Sequence, residues 1–155
     1  MTESNRPPTP DKLTLAEQEA LLCVVGHMIP PSEEFGLPAG DDPKIFADIV
    51  KSVGRDLPAL QQALRMLAEL AGGSLPALPA AKRLVLLENF RTRYPHLAGV
   101  VEAVTVRCYY RDDRVMASIG MEARPPFPIG FEVHQGDWTL LDPVRERGKI
   151  YRDVN

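Results

Sequence analysis

Fifteen prolines stand in a chain of 155 residues, about twice the roughly 5% background. Their placement constrains the fold more than any other feature. They sit between stretches of helical periodicity. Proline lacks an amide proton and disfavours helical geometry in the residue before it, so it opens or closes helices rather than continuing them. The chain is thus cut into helices of ordinary length joined by stiff connectors.

Thr14 and Glu17 form a capping box, and the helix they open reaches about Ile29, just before Pro30. Leu15, Leu22, Val25 and Ile29 make one stripe, widened by Leu21 and Met28. The opposite side, with Ala16, Ala20, Cys23, Val24 and His27, is also poor in charge, so this helix is apolar nearly all round. Residues 30–42, PPSEEFGLPAGDD, read as a long irregular loop of the kind that often carries function. Asp42 with Pro43 opens a second helix whose apolar face is Ile45, Phe46, Ile49, Val50 and Val53.

Asp56 is the expected cap of a third helix, with Leu57, Leu60, Leu64, Leu67 and Ala71 on one face and Gly72-Gly73 as its stop. A fourth helix covers roughly residues 80–93, with Leu84, Leu87 and Phe90 inward. A fifth runs from about Pro95 to Tyr110, with Leu97, Val100, Val101, Val104 and Cys108 on one face. Asp113 is the expected cap of a short helix over 114–119.

Helical periodicity stops after Arg124. RPPFP biases the chain towards extended geometry, and FEVH and WTLL can pair as a short hairpin around Gln135-Gly136-Asp137. The expected architecture is all-α: a disordered lead-in over 1–12, a bundle of about five helices over 13–124, and an extended, proline-rich C-terminal arm over 125–155.

Chemistry is sparse. Cys23 and Cys108, the two cysteines, fall in expected helices and read as buried thiols. Two are too few for a four-cysteine cluster, and there is no Cys-x-x-Cys-His haem motif. No phosphate-binding glycine loop and no nucleophile elbow occur. A net charge of -3 argues against nucleic acid. No apolar run reaches the roughly 18 residues of a membrane span. The first residues, MTESNRPPTPDK, hold no apolar core and no twin arginine, which leads to the expectation of a cytoplasmic chain.

Cys23 and His27 share a helical face at a spacing that metal ligands use, but packing is the plainer reading. An enzyme in its own right would need a pocket on His27, Glu33, Glu34 or Asp41. The arm is more informative. Its aromatics, with those of the preceding helix end and the 30–42 loop, suit docking on another protein, and a stiff arm loses less entropy when it docks. Candidate interface residues are Phe35, Leu37, Tyr109, Tyr110, Arg114, Arg124, Pro125, Pro126, Phe127, Pro128, Phe131 and Trp138. For Arg111, Arg114 and Arg124 the alternatives are surface charge and pairing across an interface.

Two stretches carry a resemblance. One is LLCVVGHMIPPSEEFGLPAGDDPKIFADI; the other is YYRDDRVMASIGMEARPPFPIGFEV followed by DWTLLDPVRERGKIYR. In order and spacing they resemble the gluconate 2-dehydrogenase subunit 3 family, over roughly residues 15–152. The resemblance implies a non-catalytic small subunit without a cofactor of its own. It implies a large partner, an FAD flavoprotein of the glucose–methanol–choline oxidoreductase type, oxidising a sugar, glycoside or alcohol. Exported members often carry a twin-arginine signal, which this sequence lacks. The rival expectation is a freestanding helical adaptor or homodimer.

Overall fold

The computed structural model describes residues 12–124, 130 and 135–150. Contacts divide the chain into two units, 1–123 and 124–155. The described residues are mostly helical and contain no strand; the one β-bridge joins Ser32 and Leu37. The first unit holds α1 (Leu15–Met28), α2 (Pro43–Ser52), a 3-10 turn (Gly54–Asp56), α3 (Leu57–Leu70), α4 (Ala80–Arg93), α5 (Pro95–Tyr109) and α6 (Asp113–Ser118).

The hub is α5. It packs on α3, α2 and α4, while α1 packs on α3. Its buried residues are Ala98, Val101, Val104, Thr105, Cys108 and Tyr109. They cover more than one face, as a helix with three neighbours requires. The Thr105 hydroxyl donates to the Val101 carbonyl at 2.7 Å, which settles a polar group in the core. Leu97 and Val100, expected on the inward face, are only half-buried.

Helix ends follow their local chemistry. The Thr14–Glu17 capping box forms in both directions. The Asp42 carboxylate accepts from the Lys44 and Ile45 amides. After α3, Gly72 has φ +74°, and the amides of Gly73 and Gly72 donate to Ala68 and Glu69. That is a Schellman stop, and it needs a residue tolerant of positive φ.

Several expectations are corrected. The face α1 buries is Ala20, Leu21, Val24 and Val25, while Leu15 is 79% exposed and Leu22 37%. Periodicity cannot choose a face on a helix apolar all round, and the side with small residues lets α3 come close. Leu84 points outward; Leu87 and Phe90 fill the core. Asp56 stands at the N-cap position of α3 as expected, but its side chain makes no capping bond; it closes the 3-10 turn and accepts from Arg107 at 3.0 Å. Asp112, not Asp113, caps α6, because Arg114 and Lys44 both converge on it. The 30–42 loop is not structureless. Ser32 and Leu37 exchange backbone bonds of 2.9 and 3.0 Å, and the Gly40 amide ties back to Ile29 at 2.8 Å.

The second unit, described by itself, holds a 3-10 turn (Trp138–Leu141) and α7 (Asp142–Glu146). WTLL is therefore a turn and not half of a hairpin. Asp137 explains it: its carboxylate accepts from the Thr139 amide at 3.0 Å and hydroxyl at 2.6 Å, and Pro143 then starts the helix. FEVH lies outside the described residues, as does most of RPPFP.

Candidate partner interface

Three arginines near the end of the body meet three aspartates in antiparallel order. Arg107 binds Asp56 at 3.0 Å; Arg111 Nε binds Asp48 at 3.0 Å; Arg114 binds Asp42 at 2.6 Å. This ladder zips α2 and its following turn onto α5 and α6. Arg114 also donates to Asp112 at 2.9 Å, and Lys44 stands 3.6 Å from the same carboxylate.

The electrostatics follow from the geometry. Hydrogen bonds from Arg114 are the main cause that holds Asp112 at about 2 and also lowers Asp42. Burial pushes Asp48 up, but Arg111 and Ser52 together outweigh it. Burial raises the Cys108 thiol, and the neighbouring Asp48 adds to the rise. Burial likewise raises Tyr109, with Tyr110 adding to it.

The candidate residues separate into three groups. Leu37, Tyr109 and Arg114 belong to the body's own framework. Leu37 packs on the core, the Tyr109 hydroxyl donates to the Pro38 carbonyl at 2.9 Å, and Arg114 is committed to Asp42 and Asp112. Phe35, Tyr110 and Trp138 are open: 61%, 54% and 61% exposed. Tyr110 stands edge-on to Tyr109 at a centroid distance of 5.4 Å. Arg124 is half-exposed at the start of the second unit, and Pro125, Pro126, Phe127, Pro128 and Phe131 lie outside the described residues.

The second unit adds residues that pattern reasoning passed over. Leu140 is 74% exposed, Leu141 41%, Val144 55% and Ile150 79%. Every residue from 135 to 150 is exposed. The signal was present: five large apolar side chains, Trp138, Leu140, Leu141, Val144 and Ile150, lie within a short stretch that also holds Asp137, Asp142 and Pro143. Trp138 has a local partner for its ring nitrogen, which donates to Gln135 at 3.1 Å, and its apolar surface stays open.

The four residues of the enzyme alternative do not converge. His27 and Asp41 line one cavity of about 510 Å³ with Cys23 and Arg83; Glu33 lines another, beside Arg114. The cavity holding His27 brings together Glu19, Cys23 and Asp41, yet no group of three or more ligating side chains is placed to hold a metal among the described residues. The Arg83 guanidinium donates to the Cys23 sulfur at 3.0 Å. No helix of the described residues is long and apolar enough to cross a membrane. No protein-family model, no curated protein and no solved structure matches the chain.

Proposed function

We propose that this chain is a non-catalytic small subunit that binds and stabilises the FAD-dependent large subunit of a sugar, glycoside or alcohol dehydrogenase, in a cytoplasmic complex. The observation that carries the reading is the C-terminal unit: residues 135–150 are all exposed, with Trp138, Leu140, Leu141, Val144 and Ile150 among them. Contiguous exposed apolar surface marks an interaction site. The resemblance of the two stretches to gluconate 2-dehydrogenase subunit 3 supplies the partner's identity. Phe35 and Tyr110 add exposed aromatic surface on the body.

The same apolar stretch would serve a homodimer, so the test must separate the two. The large subunit is expressed with and without this chain, and its yield, bound flavin and activity are measured. Poor yield or flavin loss without the chain, restored with it, is the expected result. Full yield and activity without the chain contradicts the proposal. A stable dimer of the isolated chain, read by light scattering, favours the rival.

A further inference from the structure

A cavity of about 940 Å³ in the body is a cleft between α1 and α2. That volume suits a small ligand, for which clefts of roughly 300–1,000 Å³ are usual. Leu13 and Val53, both buried, form the floor, and Leu22, Phe46, Val50 and Leu57 offer partly exposed apolar walls. The polar groups are not scattered. Lys12 precedes α1 and Lys51 lies in the last turn of α2, and both line the cleft. The intervening loop turns the chain back, with Gly40 tied to Ile29 and the Asp41 carboxylate lying where a Cβ on Gly26 would go. The two helices therefore run in opposite directions. Lys12 and Lys51 mark one end of the cleft, and Asp41 marks the other.

Charge and length define a ligand. Neither lysine has a carboxylate partner among the described residues, whereas Arg91, Arg107, Arg111 and Arg114 all do. From Pro43 to Lys51, at 1.5 Å per helical residue, is roughly 12 Å. With carbon–carbon bonds of about 1.5 Å, an all-trans alkyl chain advances about 1.25 Å per bond, so about nine or ten bonds cover that length. We propose that this cleft binds a medium-chain alkyl monocarboxylate, its head between Lys12 and Lys51 and its chain along Leu22, Phe46 and Val50. Asp41 at the far end repels a second carboxylate, which makes the site selective for one charged head. The inference is independent of the partner reading.

The test is calorimetric titration of the full chain with decanoate below its micelle concentration, beside decan-1-ol and decanedioate. Wild type and the Lys12→Gln/Lys51→Gln double variant are compared; both lysines are exposed, and circular dichroism checks that helix content is kept. Saturable one-to-one binding of decanoate is expected, weakened about tenfold or more in the double variant and for decanedioate, with decan-1-ol also weaker. Absence of saturation, unchanged binding by the double variant, or equal affinity for decan-1-ol or decanedioate overturns the assignment.

Discussion

The two units of this chain answer the same problem in opposite ways. In the body, apolar side chains from six helices converge on one core, with Leu21, Val25, Ile49, Leu60 and Leu67 fully buried. Arginine–aspartate pairs then fasten the rim. In the C-terminal unit, side chains of the same kind stay in solvent: Trp138, Leu140 and Ile150 are each more than half exposed. Composition alone does not distinguish the two. The difference lies within each unit: the body's helices are long enough to bury a face against one another, and the described elements of the second unit are not. A turn and a five-residue helix have little room for an inward face, and their apolar groups stay exposed; under the proposed function that surface is the one offered to the partner.

That contrast is open to attack by mutation. Leu60→Ala, at a fully buried position, is expected to cost the isolated chain about 3 kcal/mol in urea unfolding. Leu140→Ala is expected to cost less than about 0.5 kcal/mol in the same assay. Equal losses would erase the distinction.

Asp112→Asn comes next. It leaves an oxygen to cap α6 but removes the negative charge at the centre of the Arg114 and Lys44 cluster, and about 2 kcal/mol is expected. The pH dependence has a definite sign. Asp112 sits at about 2 in the fold against 3.8 otherwise. Its contribution is therefore present in full above the ordinary carboxylate range, and it fades as pH falls towards 2. The asparagine variant should flatten that part of the acid-unfolding curve; an unchanged curve contradicts the assigned role.

A smaller effect than that of Asp112 belongs to the Arg107–Asp56 rung of the ladder. Arg107→Gln is expected to change stability by about 0.5 kcal/mol, since both partners see solvent. A loss several times larger would mean that the pairs, and not the core, hold the body together.

Much of the body was legible in the sequence because its signals are local. Thr14 with Glu17, Asp42 with Pro43, and Gly72-Gly73 each fix a helix end through atoms a few residues apart. The stripe of α3 was legible because Gln62, Arg65 and Glu69 contrast with the leucines. What was missed depended on the third dimension. The face of α1 is ambiguous when Leu15 and Leu22 look as apolar as Ala20 and Val24. Asp112 and Asp113 are adjacent and chemically equal until Arg114 and Lys44 select one. Tyr109 looks like an interface aromatic until Pro38, far away in sequence, supplies its hydrogen-bond acceptor. Of the exposed apolar residues in the second unit, Trp138 alone was singled out from the sequence as a candidate interface residue; Leu140, Leu141, Val144 and Ile150 were not. The turn that presents Trp138 was not readable, because Asp137 can cap a turn or lead into a hairpin, and FEVH gave no means of choosing.

The central claim is that the 138–150 stretch is left open for another protein. Amide hydrogen exchange, read by mass spectrometry on the isolated chain and on the co-purified flavoprotein complex, tests it most directly. Slow exchange in α3 and α5 in both samples, with 138–150 fast alone and protected in the complex, is the predicted result. Protection of 138–150 in the isolated monomer, or no change on complex formation, would contradict it.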